Sequence, residues 1–228
     1  MNPLASSLRG KRVLITQADE FMGPALCAGF EAHRAVVIAD RHAELDAPTV
    51  GHVIDSAGHV DVLIANLAIA APSSLATEAT DEEWRRVFAK LVDPLPRLCR
   101  AVLPQMTGRG AGKIIVMGSA SALRGMKRSS TYSAARGAQL AYVQALGVEV
   151  APQNVQVNAI AQNFVANPTY FPPEVQANEK FQQRLARDVP VGRLATPEED
   201  AMLAVFLACD EVRFMVGQSI PFAGGWVT

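Results

Sequence analysis

Residues 113–160 read KIIVMGSASALRGMKRSSTYSAARGAQLAYVQALGVEVAPQNVQVNAI. The run opens on a short apolar segment, Lys113–Gly118, and closes on Val155–Ile160 (VQVNAI), and both read as strands. Between them, Thr131–Ala151 is rich in alanine, the strongest helix former. A near-continuous apolar strand suits a parallel sheet covered on both faces, and strands joined by a helix pair in parallel. Working outward, Arg12–Thr16 (RVLIT), Ala35–Asp40 (AVVIAD), Asp61–Leu67 (DVLIANL) and Ser219–Phe222 (SIPF) read as further strands. Met22–His33, Ala47–Ala57, a stretch opened by Thr80 and interrupted near Pro94 and Pro96, and a last segment from Pro197 to about Cys209 read as helices. Strands alternating with helices predict an α/β fold, a single doubly wound parallel sheet flanked by helices.

Helix-start signals support these boundaries. Thr80 is expected to cap its helix, with Glu83 three residues on answering in a capping box. Thr196 is expected to cap the last helix. The stretch 161–197 breaks the rhythm with Pro168, Pro172, Pro173, Pro190 and Pro197, around a helical piece near Glu174–Arg187. An irregular insert of this length usually carries function. Without repeats or linkers, residues 1–228 read as one domain, with a poorly ordered lead-in over 1–10.

Composition narrows the function classes. Half of the 228 residues are hydrophobic and 19% are charged, which excludes a disordered chain. Lys+Arg 21 against Asp+Glu 22 gives a formal net charge of −1, without the global basic field of a nucleic-acid binder. The dispersed Cys27, Cys99 and Cys209 fit neither a disulfide framework nor a zinc site and read as buried thiols. The start MNPLASSLRGKR has no apolar core of signal-peptide length, and no apolar run is long enough to span a membrane. The expectation is a cytoplasmic, soluble protein with no membrane or nucleic-acid partner.

Ser119, Tyr132 and Arg136 are the constellation with chemistry in it. Ser119 follows the fourth strand, at the crevice where open α/β sheets bind ligands. Tyr132 and Arg136 are spaced i, i+4 on the next helix and share a face. The histidines His33, His42, His52 and His59 lie far from Ser119 in sequence, which leaves a Ser-His-Asp hydrolase without an evident base.

A strand followed by Ser-x12-Tyr-x3-basic resembles the short-chain dehydrogenase/reductases, a Rossmann-like superfamily whose basic residue is Lys. Arg136 in that place resembles the halohydrin dehalogenases, a branch that uses no nucleotide. The loop Ala161-Gln-Asn-Phe-Val-Ala-Asn-Pro-Thr-Tyr-Phe-Pro looks like that family's halide-binding loop, and the ending Gly-Gly-Trp-Val-Thr looks closest to its B subtype. At Gln162 the best-known branch has Pro.

A second signature lies at the first strand-to-helix turn. A dinucleotide needs glycines there so that the backbone can approach the pyrophosphate. The turn reads Thr16-Gln-Ala-Asp-Glu-Phe-Met-Gly23, in which only Gly23 remains. Phe21 puts a ring where a cofactor would lie, and Asp19 and Glu20 add repelling charge. Asp40, a ribose ligand in a nicotinamide enzyme, reads here as a strand-end residue.

The resemblance implies conversion of a vicinal haloalcohol to an epoxide, a halide and a proton, with no cofactor and no metal. Tyr132 is then the base, Arg136 lowers its pKa, and Ser119 holds the substrate oxygen. Phe21, with Gln162, Asn163, Phe164 and Val165, is the expected halide site, and Tyr170 and Phe171 are further walls. The resemblance also implies a homotetramer built on the two long helices, and reverse epoxide opening by halide, azide, cyanide or nitrite. Trp226 is either a C-terminal anchor or part of a neighbouring subunit's pocket. Two alternatives stay open: an NAD(P)-dependent short-chain dehydrogenase/reductase with a degenerate fingerprint, which binding of NADH would distinguish, and a non-catalytic interaction protein, which would have no need of the Ser119, Tyr132 and Arg136 set.

Overall fold

Every residue of Gly112–Ser119 is buried, and the alternation within it explains the layering. Ile115 and Met117 belong to one apolar cluster, Ile114 and Val116 to another on the opposite face. Successive side chains of a strand point to opposite faces, so this strand needs helices on both sides. The computed structural model describes residues 8–228. Its strands are β1 (Arg12–Ile15), β2 (Val36–Ala39), β3 (Val62–Ala65), β4 (Gly112–Ser119), β5 (Val155–Gln162) and β6 (Ser219–Phe222). They form one parallel sheet in the order β2-β1-β3-β4-β5-β6.

The helices among the described residues are α1 (Gly23–Ala32), α2 (Ala47–Ala57), α3 (Asp81–Leu91), α4 (Pro94–Arg109), α5 (Ser130–Val150), α6 (Pro173–Gln176), α7 (Glu179–Asp188) and α8 (Pro197–Ala208). Leu26 and Phe30 of α1 and Ala201, Ala204 and Val205 of α8 cover one face of the sheet. Val50 and Ile54 of α2, Leu98 and Val102 of α4, and Leu140 and Val143 of α5 cover the other. Helix α3 packs on α5 through Val87 and Leu91, against Tyr132 and Ala135. No described helix is long and apolar enough to cross a membrane.

Several local expectations change in the folded chain. The fourth and fifth strands run further than their apolar cores, to Ser119 and Gln162, which face each other in register. The interrupted helix is two helices, because Pro94 in the first turn of α4 has no N–H with which to continue α3. Thr80 accepts the Glu83 N–H at 3.1 Å. Glu83 does not answer it, since its carboxylate takes the Ser74 hydroxyl at 2.9 and 3.0 Å. The full capping box forms instead at Thr196 and Glu199. Of the lead-in expected to lack order, residues 1–7 lie outside the described residues, whereas Leu8 is fully buried and the Gly10 N–H donates to the Arg34 carbonyl at 2.9 Å. Cys99 and Cys209 are buried, but Cys27 is only half-buried.

The insert after β5 folds around its own apolar cluster of Phe164, Leu185, Val189, Ala223 and Trp226, beside Ala120 at the end of β4. Its neck is pinned to the core: Asn163 N–H donates to Phe222 O at 3.0 Å, Ala195 N–H to Phe164 O at 2.9 Å and Ala166 N–H to Ala195 O at 2.9 Å. The carboxyl ends of β4 and β5 therefore open into a roofed space.

The turn between β1 and α1 depends on Gly23. A Cβ there would lie 2.3 Å from the Ala18 carbonyl oxygen. That oxygen is backbone and cannot yield without reshaping the turn. Gly23→Ala should cost about 1–3 kcal/mol, a fall of roughly 2–10 °C in Tm for a chain of this size, measured by calorimetry.

Candidate active site

Helix α5 presents Tyr132 and Arg136 on its buried face, one turn apart, at 8% and 3% exposure. The Arg136 guanidinium carbon lies 5.1 Å from the Tyr132 ring centroid. Its Nη1 donates to the Leu67 carbonyl at 2.9 Å, the Met117 carbonyl at 3.0 Å and Gln139 Oε1 at 2.9 Å. Gln139 is itself held by the Leu91 carbonyl at 2.5 Å. No carboxylate is among these partners, so the positive charge is anchored without being neutralised. All three acceptors lie against this one nitrogen, Nη1, and the buried Nε has no hydrogen-bond partner among the described residues.

That charge acts on Tyr132. Burial alone would raise the phenol's pKa. The Arg136 charge, with hydrogen bonds from Tyr170, Arg136 and Ser119, more than offsets burial and holds Tyr132 below the ordinary phenol value. Tyr170 is pushed the opposite way by burial, then by its neighbour Tyr132. Ser119 Oγ accepts the Ser121 N–H at 3.2 Å and lies 2.9 Å from Ser121 Oγ. Its hydroxyl thus stays at the strand end, within reach of the Tyr132 oxygen.

These groups share a cavity of about 110 Å³. Ser119, Tyr132, Arg136, Phe21, Gln162, Asn163, Phe164, Val165, Tyr170 and Phe171 all line it. The two walls Phe21 (φ 48°) and Phe164 (φ 56°) have left-handed backbones. Such a conformation costs about 1–3 kcal/mol outside glycine and persists only where packing dictates it. Phe164 is caged by Trp226, edge-on at 5.8 Å, and by Phe171, stacked at 6.2 Å. Of the two roles weighed for Trp226, the chain itself supplies the anchor. Arg124 lies 4.8 Å over its ring and Arg124 Nη1 donates to its carbonyl.

In the expected halide loop, Asn163 N–H is taken by Phe222, and Phe164 N–H donates to Asn163 Oδ1 at 2.9 Å. The Val165 N–H has no partner among the described residues. The Asn163 and Phe164 N–H groups are thus engaged within the chain, so these two of the loop's backbone donors are already occupied.

A dinucleotide finds no cradle at the first turn. Gln17 Oε1 accepts the Ala68 N–H at 3.0 Å, and Asn66 Nδ2 donates to the Gln17 and Glu20 carbonyls at 3.0 and 3.1 Å. These bonds stitch the β1 turn to the end of β3, across the point where the strand order reverses and nucleotides bind in such sheets. The Phe21 ring stands 5.7 Å from Tyr170, Asp19 adds a carboxylate paired with Arg41 at 2.8 Å, and Gly23 serves the turn's own packing. The residues present do not fit a nicotinamide dinucleotide. Asp40 Oδ1 is occupied by the His42 ring at 2.6 Å and the His42 N–H at 3.2 Å. No group of three or more His, Cys, Asp or Glu side chains among the described residues gathers into a metal site.

The sequence reading passed over Ser121, Gln139, Asn66, Gln17 and Asn167. Two left a signal. Ser121 repeats the hydroxyl two positions after Ser119, and Gln139 follows Arg136 by three and so shares its helix face. The others act through loop contacts that no spacing encodes.

Comparison with known proteins places the chain. Residues 8–227 match the enoyl-(acyl carrier protein) reductase family profile, and the chain belongs to that family, within the short-chain dehydrogenase/reductase superfamily. It is 34% identical to a 2-keto-3-deoxy-L-fuconate dehydrogenase of Xanthomonas campestris pv. campestris, over 96% of this chain and 81% of that one. It is 26% identical to a 3-oxoacyl-(acyl-carrier-protein) reductase of Vibrio harveyi, over 96% and 98% of the two chains. Among solved structures, a protein described as a dehalogenation enzyme matches with a TM-score of 0.90 at 30% identity, covering 97% of this chain and all (100%) of that one. A structure described as ElxO with NADP bound matches with a TM-score of 0.87 at 20% identity, over 95% and 98% of the chains, a likeness of fold.

The chain has three tyrosines, and Tyr142, like Tyr170, is pushed above the ordinary value by burial. The first tyrosinate to form as pH rises should therefore be Tyr132, below the free-phenol value of about 10. Ultraviolet titration should show this step, Tyr132→Phe should abolish it, and Arg136→Gln should move it up by about one unit or more.

Proposed function

We propose that the protein is a halohydrin dehalogenase, a carbon–halide lyase that closes a vicinal haloalcohol to an epoxide with release of halide and a proton. The observation that carries this reading is the uncompensated Arg136 guanidinium beside Tyr132, next to a turn that does not fit a dinucleotide. The likeness to a dehalogenation enzyme supports it.

The chemistry follows from the residues. Tyr132, as phenolate, takes the proton of the substrate hydroxyl. Ser119 donates to that oxygen and aims it at the neighbouring carbon, where a near-attack geometry does much of the work. The oxygen's electron pair forms the new C–O bond as the C–halide bond breaks, and that bond pair leaves with the halide. The halide meets the Val165 N–H and the Phe21 ring edge, a setting suited to a weakly hydrated anion. The proton stays on Tyr132 until it reaches solvent, so no hydride moves and no cofactor or metal is called for. A cytoplasmic location, expected from the sequence composition, and a homotetramer, implied by the family resemblance, complete the proposal.

The names of the dehydrogenase and reductase relatives favour a second reading, an NAD(P)-dependent oxidoreductase. Calorimetry with NADH and NADPH separates the two. The dehalogenase reading expects no heat of binding, and stoichiometric micromolar binding would return the protein to the oxidoreductases.

A dichloropropanol carrying its hydroxyl on the central carbon should release chloride without added nucleotide, followed by chloride titration. Tyr132→Phe should keep the fold and fall to background. Retention of more than a tenth of the rate, a barrier change under about 1.4 kcal/mol, would remove Tyr132 as the base.

The same site should run in reverse. An anion held by the Val165 N–H can attack an epoxide carbon while Tyr132 returns the proton. Azide should open a terminal epoxide at the less hindered carbon, and cyanide and nitrite should substitute for it. Bromide should inhibit competitively with azide, and Phe21→Ala should weaken that inhibition more than epoxide binding.

A further inference from the structure

Tyr170 is more than a wall. Its hydroxyl donates to the Ile69 carbonyl in the segment after β3 and meets the backbone of Ala71 and the oxygen of Tyr132. Its place is fixed from behind. Asn167 Oδ1 accepts the Tyr170 N–H at 2.9 Å and the Thr169 N–H at 3.1 Å, while Asn167 Nδ2 donates to the Val165 carbonyl at 3.1 Å. The ring is held by Phe21 at 5.7 Å and Phe171 at 6.4 Å. A second phenol is therefore locked beside the first, and its single proton has two acceptors within reach.

We propose that Tyr170 is a positioning residue for the base: its O–H rests on the Ile69 carbonyl while Tyr132 is neutral and turns to donate to the Tyr132 oxygen when that group ionises. No covalent bond changes; one hydrogen bond is exchanged for another. The exchange favours the phenolate because a hydrogen bond to a charged acceptor is about twice as strong as one to a neutral carbonyl. The two phenols divide the roles. Tyr132 lies against the Arg136 charge, whereas burial and the neighbouring Tyr132 keep Tyr170 protonated. The groups facing Tyr132 are Arg136, Tyr170 and Ser119; the Ser119 hydroxyl, which also lies beside Ser121 Oγ, is assigned to the substrate oxygen in the proposed reaction, which leaves Tyr170 as the donor to the phenolate itself. The role of this exchange in turnover rests on the proposed dehalogenation; the exchange itself does not.

Tyr170→Phe tests it, because the ring and its packing stay and one oxygen goes. In the substrate-free protein, the Tyr132 step of the ultraviolet titration should rise by about one unit. In turnover, the low-pH limb of kcat should move up equally, with kcat at neutral pH about tenfold lower, the high-pH plateau kept and KM nearly unchanged. A folded Tyr170→Phe protein, judged by an unaltered Tm, whose Tyr132 step stays where it was would overturn the proposal. A change in KM alone would do the same, since that is what a mere wall predicts. If the parent protein released no halide but its Tyr132 step still rose on Tyr170→Phe, the proposed reaction would fail and the pairing of the phenols would stand.

Discussion

The buried guanidinium of Arg136 is the constraint on which the site depends. Moving a cation out of water costs several kcal/mol unless it is well solvated by the protein. Here that solvation comes from the carbonyls of Leu67 and Met117, near the ends of β3 and β4, and from Gln139. Each is a neutral dipole, so the charge is held in place while its field stays open. The adjoining group that can answer it with a full negative charge is Tyr132, which the guanidinium holds below the ordinary phenol value in spite of burial. Strand ends, helix face and phenol are thus coupled through one side chain.

A second constraint is where the free space lies. Sheets of this type have a crevice at the reversal of strand order, and in this chain Gln17, Asn66 and Ala68 close it with hydrogen bonds. The cavity that remains is small and lies over β4 and β5, where Ser119 and Gln162 stand in register. Its aromatic walls are strained at Phe21 and Phe164 and are held by neighbours, Tyr170 for one and Trp226 with Phe171 for the other. Packing of the walls on one another, with Trp226 behind Phe164, is what sustains its shape.

The likeness to reductases and to a dehalogenation enzyme in one fold is consistent with this division. Sheet order and helix layers follow from apolar pattern and are indifferent to the reaction. Function lives in the side chains set on the strand ends. Arg136 on α5 and Gln17 and Phe21 at the first turn are such side chains, set on helix face and strand end without touching the layers.

The doubly wound sheet was legible because short, mostly apolar strands alternate with helices along the chain, and β1, β3 and the core of β4 are apolar at consecutive positions, a pattern that suits cover on both faces. Ser119, Tyr132 and Arg136 were legible because i, i+4 spacing and a strand end are local geometry, whereas the residues from Gln162 to Val165 were reached through the resemblance of their loop to a known family. Other features needed the folded chain. Glu83 leaves its helix cap for Ser74, because a side chain takes whichever donor the tertiary packing brings nearest. Tyr170 lies 38 positions from Tyr132 (170 − 132), and nothing in that interval encodes that Asn167 would turn it back onto the phenol. The sequence by itself determined the layers, the strand ends and which groups carry charge, since these depend on periodicity and residue chemistry. The tertiary structure alone decided which proton faces which acceptor and which N–H stays free, since these depend on distances between segments that the chain brings together only when it closes its core.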